Sequence, residues 1–264
     1  MFKTDDLQNI VISTGEIIKK YFYEDIKVNY KSDETPVTIA DFEANEYLKE
    51  HLKKLMPEAY WLSEEDKDDA QRLNQEYVWI IDPLDGTQGF IEKVSELSVS
   101  VALVKNGIPF VGAVYNPIIH QGGFSNGFNG EIKFIGFEKR QEKDKLADAK
   151  ILVSNSESKH KRLNEFLEIF PQIQPLGSVA NKLMKIAGGE DDFYYSVHPK
   201  SEWDIAGGVA LLLATNKKYV RFDHLPLVFN QENPLIDSGS VAGSDQLINE
   251  FFDNYSHLGK TVRR

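Results

Sequence analysis

The chain has no cysteine, which excludes disulfides, thiolate nucleophiles and cysteine-ligated zinc. No stretch approaches the roughly 18 consecutive apolar residues of a membrane helix. The opening MFKTDDLQNI carries two acids and no apolar core of the kind a secretory signal needs. A cytoplasmic location without a strong membrane signal is therefore expected. Positive charge is in deficit: 30 Lys and Arg stand against 41 Asp and Glu, a net charge of −11. With no basic excess to release counterions, a nucleic-acid polymer is a poor partner. That balance does not exclude a small anion held through metal ions. Glycine and proline are sparse, 18 and 10 of 264 residues, while hydrophobic residues make up 41%. This suits a chain with a sizeable core and not a disordered one. No internal repeat or low-complexity tract stands out.

Apolar spacing predicts an amphipathic helix over residues 5–22, through Leu7, Ile10, Val11, Ile17, Ile18 and Tyr21. Thr38 followed by Asp41 reads as a capping box with Asp in the Glu position, opening a helix that Pro57 ends. Tyr77-Val78-Trp79-Ile80-Ile81 is short, β-prone and continuously apolar, a buried strand predicted to stop at Asp82-Pro83. Residues 97–104 and 108–115 flank Lys105-Asn106-Gly107, a hairpin signal. The glycine-spaced stretch 122–130 reads as a turn region. The highly charged run 138–149 is the best candidate boundary. Beyond it, a strand is predicted at 151–153, helices at 159–170, 178–187 and 205–213, and a strand at 193–197. Strands mixed with helices point to a layered α/β or α+β fold.

The chemistry concentrates around Asp82-Pro83-Leu84-Asp85-Gly86-Thr87. Two acids three apart leave the end of a buried strand, and Pro83 stiffens the turn and holds Asp82 extended. That geometry turns the Leu84 carbonyl toward both carboxylates, an oxygen set that suits a hard cation such as Mg²⁺. Gly86 permits close backbone approach, and the Gly86 and Thr87 amides open a short helix whose start attracts phosphate. An Asp-Gly turn with a helix-capping Asp would explain one acid and leave the other without a purpose. Upstream, Glu64-Glu65 follows the apolar Trp61-Leu62, whereas Asp66, Asp68 and Asp69 read as a solvated face. Downstream, Glu202-Trp203-Asp204 begins an apolar helix in which Asp204 reads at minimum as an N-cap. The small residues after it allow close packing against a neighbouring element.

In this order the three acidic motifs resemble the inositol monophosphatase-like superfamily of Mg²⁺-dependent, lithium-sensitive phosphomonoesterases. Its signature is an Asp-Pro-(Ile/Leu)-Asp-Gly-Thr loop, a preceding Glu-Glu pair and a later Trp-Asp-x-Ala-Gly helix start. The resemblance runs from Thr35 to beyond residue 208. It is nearest to the CysQ-type 3′(2′),5′-bisphosphate nucleotidases in Leu62-Ser63-Glu64-Glu65-Asp66, Phe90-Ile91 and Gly112-Ala113-Val114-Tyr115-Asn116-Pro117. It departs from them at Gln88-Gly89, at Val94-Ser95-Glu96-Leu97, and at the segment Tyr195-Ser196-Val197-His198-Pro199-Lys200, where an Arg is usual.

The resemblance implies an α/β/α/β/α sandwich, with an N-terminal subdomain (1–147) carrying the metal loop and a C-terminal one (148–264) completing the site. It implies two, at most three, Mg²⁺ ions. Glu64, Asp82 and the Leu84 carbonyl would hold one, and Asp82, Asp85 and Asp204 another. Asp41 and Thr87 would activate the attacking water together with Glu64, and Glu65 would support the ligands from behind. Substrate would meet Glu64, Asp85, Gly86, Thr87, Ser178 and Asp204, with Lys182 toward a second phosphate. The residues alone leave Ser178 as an N-cap and Lys182 as a solvent-facing lysine equally open.

The implied activity is release of the 3′-phosphate from 3′-phosphoadenosine 5′-phosphate. The alternative on the same scaffold is an inositol or other sugar-phosphate phosphatase, and homodimers are common among such proteins. A carboxylate-pair glycosidase would not need a phosphate cradle. A non-catalytic metal module would not need Asp41 beside Thr87. Gly259-Lys260-Thr261 lacks the earlier glycine of a P-loop.

Overall fold

In the computed structural model, residues 2–31, 34–155, 157, 166 and 168–262 are described. Helices α1 (Thr4–Phe22) and α2 (Ile39–Leu55) form where the apolar spacing places them. The capping box opens α2: the Asp41 carboxylate accepts from the Thr38 amide at 2.8 Å, and Thr38 Oγ1 accepts from the Ala40 amide at 3.2 Å. Between the two helices, β1 (Val28–Tyr30) and β2 (Pro36–Thr38) make a short antiparallel pair.

The first large sheet contains β3 (Tyr60–Ser63), β4 (Tyr77–Asp85), β5 (Ser98–Lys105), β6 (Ile108–Asn116), β7 (Gln121–Asn126) and β8 (Glu131–Ile135). They lie in chain order, parallel between β3 and β4 and antiparallel thereafter. A short helix, α3 (Thr87–Ile91), follows β4. The hairpin turns through Asn106 and Gly107 at φ 49° and 79°, the positive values a two-residue turn needs.

Two features differ from the sequence reading. The β4 strand does not stop at Asp82. Pairing with β5 passes from Asp82↔Ser100 to Asp85↔Ser98, so one extra residue bulges around Pro83 and the strand continues. A bulge accommodates a residue that has no N–H to donate. Nor do Gly122 and Gly123 form a turn. They sit inside β7 because aromatic rings cover their faces: a Cβ on Gly122 would lie 2.9 Å from the Phe124 ring, and one on Gly123 2.8 Å from Phe134.

The second half supplies β9 (Ile151–Val153), β10 (Ile173–Pro175), α4 (Val179–Gly188), β11 (Phe193–Ser196), β12 (Lys200–Ser201), α5 (Glu202–Ala214), β13 (Lys218–Arg221), β14 (Leu235–Ile236), β15 (Ser240–Gly243) and α6 (Asp245–Tyr255). Its main sheet runs β10-β9-β11-β15-β13, and β12 pairs with β14. The helix expected over 159–170 lies largely outside the described residues.

Alternation along the strands sorts the side chains into layers. Trp79, Ile81, Val99 and Val101 meet Leu7, Val11 and Ile18 of α1 and Leu48 and Leu52 of α2. On the other face, Val78, Ile80 and Ala102 meet Leu183 and Met184 of α4 and Ile205, Val209 and Leu212 of α5, and this core continues into Leu152, Tyr194 and Ala242 of the second sheet. Beyond that sheet, Ile151, Val153 and Phe193 pack on Leu247, Ile248 and Phe251 of α6. The order is α/β/α/β/α, as the resemblance implied. Helix α5, lying between two sheets, is apolar nearly all round. No helix among the described residues is long and apolar enough to cross a membrane.

Candidate active site

Strand β4 delivers Asp82, Leu84 and Asp85 to its carboxyl end, all buried. Gly86 then reverses the chain at φ 102°, and a Cβ there would fall 2.8 Å from the Glu96 carbonyl oxygen, so only glycine fits. The first amides of α3 have no acceptor inside their own helix and face outward from this turn. The Thr87 hydroxyl lies 3.1 Å from Asp41 Oδ1 and 3.1 Å from the Leu84 carbonyl oxygen. It carries one proton and donates to one of them at a time. Asp41 is itself fixed, its Oδ2 accepting from the Thr38 amide at 2.8 Å and the Thr38 hydroxyl at 2.7 Å.

The second half comes within reach because α5 packs closely on β5. A Cβ on Gly207 would lie 2.7 Å from Ser100 Oγ and 3.1 Å from the Val101 carbonyl oxygen. Asp204 is not the N-cap of α5; Ser201 is, and Asp204 stands at the third helical position. Its Oδ2 accepts from the Ser201 amide at 2.9 Å. Asp82 Oδ1 accepts from the Leu84 amide at 3.0 Å. Asp85 Oδ2 accepts from the Ser178 hydroxyl and the Ala180 amide, both at 2.7 Å. Each of these three acids thus has one oxygen held by the protein. Among the described residues, no hydrogen-bond donor meets the other.

Their electrostatics express the crowding. Burial, then the charges of Glu64, Asp85 and Asp204, pushes the Asp82 carboxyl well above the usual range. Asp204 is pushed up to about 7 by burial and then by Asp85 and Glu64. Asp85 is raised by burial against the hydrogen bonds from Ser178 and Ala180. Burial also raises Asp41, and it raises Glu65 to about 7 against the hydrogen bond from Lys31.

The Lys31 ammonium donates to Glu64 Oε1 at 2.9 Å and Glu65 Oε1 at 2.8 Å. Burial alone would lower its pKa; the two glutamates outweigh that and raise it.

As the side chains stand, no three such acids among the described residues converge tightly enough to share an ion. The donor chemistry nevertheless fits a divalent cation. The acids offer only oxygen, they raise one another's pKa values, and each of the three aspartates keeps an oxygen clear of protein donors.

Lys31 and Ser98 have no role assigned from the sequence, and Glu96 is named there only within the segment Val94-Ser95-Glu96-Leu97. Glu96 Oε2 accepts from the Gly177 amide at 2.6 Å, and Ser98 Oγ lies 2.9 Å from Ser178 Oγ. Of the residues assigned to substrate, Ser178 is both the N-cap of α4 and a partner of Asp85. Lys182 is not solvent-facing; it is 1% exposed. Its ammonium donates to the Leu176 and Gly177 carbonyls at 2.7 and 3.3 Å. Asp66 and Asp68 also depart from a plain solvated face. Asp66 Oδ2 accepts from Trp61 Nε1 at 2.6 Å, and Asp68 pairs with the buried Arg72. A surface cavity of about 700 Å³ lies elsewhere, against Phe42, Glu46 and Lys53.

Residues 4–254 match the Inositol monophosphatase family. The chain is 30% identical to a 3′(2′),5′-bisphosphate nucleotidase CysQ of Haemophilus influenzae, over 90% of this chain and 91% of that one. It is also 30% identical to inositol monophosphatase 3 of Solanum lycopersicum, over 75% and 78%. Among solved structures, the fold is similar to CysQ from Bacteroides thetaiotaomicron, with TM-score 0.71, 26% identity and coverage of 91% and 96%. It is likewise similar to the extragenic suppressor protein suhB of Bartonella henselae, with TM-score 0.79, 20% identity and 97% coverage of both chains.

Proposed function

The chain belongs to the inositol monophosphatase family, a family of phosphatases, and from that premise we propose that it is a Mg²⁺-dependent 3′(2′),5′-bisphosphate nucleotidase. The observation that carries the phosphatase chemistry is the crowding of Asp82, Asp85 and Asp204, buried side chains from two halves of the chain whose charges raise one another's pKa values, beside a Thr87–Asp41 hydrogen bond. The nucleotide preference rests on the CysQ relative matched over nine-tenths of both chains.

On this reading Glu64, Asp82, Asp85, Asp204 and the Leu84 carbonyl would hold the metal. Residues 1–147 bring the metal loop, and residues 148–264 close the site. Bound there, divalent cations would supply Lewis acidity and would make an attacking water acidic near neutral pH. Asp41, fixed by Thr38, accepts a hydrogen bond from the Thr87 hydroxyl, which leaves the lone pairs of Thr87 Oγ1 to hold that water in line with phosphorus. As the water oxygen bonds to phosphorus, the ester P–O bond breaks and the departing sugar oxygen takes a proton from solvent. The attacking water's proton passes to Thr87 Oγ1 and the Thr87 proton passes to Asp41 Oδ1. Burial makes Asp41 a stronger base than an exposed aspartate. The Gly86 and Thr87 amides hold the phosphate oxygens as negative charge builds on them. Glu65, against Lys31, steadies Glu64 from behind.

One observation favours the second reading, a sugar-phosphate phosphatase. Lys182 is spent on backbone carbonyls, and Lys200, in the segment where the nucleotidases carry Arg, donates to Ser196 Oγ at 2.8 Å and to the His198 carbonyl at 2.9 Å. Phosphate release with Mg²⁺ from 3′-phosphoadenosine 5′-phosphate, inositol 1-phosphate and fructose 1,6-bisphosphate separates the two, with Asp82→Asn as the blank. A preference for the nucleotide is the expected result. A preference for either sugar phosphate transfers the chain to the second reading.

A further inference from the structure

We infer that Lys182 is a positioning residue that sets the Asp85 carboxylate through the Gly177–Ser178 peptide, with Glu96 gripping the same turn from its other side. The inference rests on the proposed role of Asp85 as a metal ligand and concerns how the chain aims it.

Lys182 lies on the first turn of α4 and is 1% exposed. Burial drives its pKa down to about 8, against the charges of Asp85, Glu157 and Glu96. A buried ammonium is costly to keep where an apolar side chain of similar length would pack. Its hydrogen bonds show what it does there. It holds the Leu176 carbonyl at 2.7 Å and the Gly177 carbonyl at 3.3 Å, while Glu96 Oε2 takes the Gly177 amide at 2.6 Å. The Leu176–Gly177 peptide is therefore gripped at both ends by opposite charges, and Lys182 extends its hold to the carbonyl of the next peptide. The fit is close: a Cβ on Gly177 would lie 2.9 Å from the Glu96 carbonyl oxygen and 3.0 Å from Glu96 Cβ. Asn155 Nδ2 braces the same Glu96 oxygen at 2.7 Å.

The consequence falls on the next residue. Ser178 has φ 51°, the left-handed region that a side-chain-bearing residue avoids without outside constraint. The torsion φ of Ser178 is defined by the orientation of the Gly177–Ser178 peptide, whose carbonyl Lys182 reaches at 3.3 Å while it holds the carbonyl one residue earlier at 2.7 Å. In this conformation the Ser178 hydroxyl donates to Asp85 Oδ2 at 2.7 Å and accepts from the Asn181 amide at 3.0 Å, and the Ala180 amide reaches the same Asp85 oxygen at 2.7 Å. Clamping Oδ2 decides where Oδ1 points. Without Lys182, the turn relaxes toward extended backbone, Ser178 swings away and Asp85 loses its aim.

The test is a double-mutant cycle read by isothermal titration with Mg²⁺ alone, so that the readout does not depend on turnover. Lys182→Met should weaken Mg²⁺ binding about tenfold, the size typical of groups that orient metal ligands. In a Ser178→Ala background the same substitution should have almost no further effect, because its route to Asp85 is already cut. A merely structural lysine would weaken binding equally in both backgrounds; that result, or an unchanged affinity in Lys182→Met, overturns the inference. Should Lys182→Met fail to fold, Glu96→Ala runs the same cycle under the same criteria. A wild-type chain that neither binds Mg²⁺ nor releases phosphate would overturn the reading of the site and this inference with it. Normal wild-type binding with an additive cycle overturns this inference alone.

Discussion

Asp82, Asp85 and Asp204 each give one carboxylate oxygen to a protein donor, so their other oxygens are aimed before anything binds. Thr87 stands apart from them. It touches Asp41 and the Leu84 carbonyl at 3.1 Å each, and its task on this account is proton transfer and not metal binding. Thr87→Ala should therefore lower kcat by about 10²-fold or more while the Mg²⁺ dissociation constant stays near the wild-type value. Parallel titrations and steady-state kinetics check this, and a defect in metal affinity alone would contradict it. At this scale the sequence was informative, because Asp-Pro-Leu-Asp-Gly-Thr, Glu-Glu and Trp-Asp are local motifs. Lys31 and Glu96 were not legible. Their partners lie 33 and 81 positions away along the chain, and nothing near Lys31 or Glu96 in sequence announces them.

Among the elements, β4 and α5 decide whether the acids meet. The bulge at Pro83 lets β4 carry Asp85 past the point where the apolar run predicted its end. Proline reads as a strand stop, and only the pairing with β5 shows that one unpaired residue satisfies it. Helix α5 approaches β5 through Gly207, where an added methyl would meet Ser100 Oγ at 2.7 Å and the Val101 backbone at 3.1 Å. Gly207→Ala should cost about 1–3 kcal/mol of stability and move Asp204 off its partners, weakening Mg²⁺ binding as well. Urea denaturation together with titration measures both, and a variant normal in both would show that the close approach is not needed. The small-residue run after Asp204 gave this contact away in the sequence. The glycines of β7 misled in the opposite direction, since only the rings of Phe124 and Phe134 explain why flat, side-chain-free positions are wanted there.

At the scale of the whole molecule, five alternating layers set acids of the first sheet beside Asp204 of α5, and the metal-free chain bears the consequence. Asp204 and Glu65 are raised to about 7 in the fold, whereas unfolded carboxyls titrate near 4. Between those values the folded state binds more protons than the unfolded state, so stability falls as pH rises from about 4 to about 7 and then levels off. Mg²⁺ relieves the repulsion and competes with those protons, so its stabilisation should grow with pH. Urea midpoints with and without Mg²⁺ at pH 5.5 and 8 should show the larger shift at pH 8; equal shifts would contradict the account. The layer order followed from the resemblance, but the continuity of the middle core from Val78 to Ala242 did not, because it depends on which faces of α4 and α5 meet each sheet.

The central claim is that acids pooled from both halves of the chain hold the cations that drive phosphate hydrolysis. Its most direct test is Mg²⁺-dependent phosphate release from 3′-phosphoadenosine 5′-phosphate by the wild-type chain and by Asp204→Asn, with circular dichroism confirming that both are folded. The account predicts turnover that requires Mg²⁺ in the wild type and none above background in the variant. A folded Asp204→Asn chain with near-normal turnover, or a wild type equally active in chelator, would contradict it.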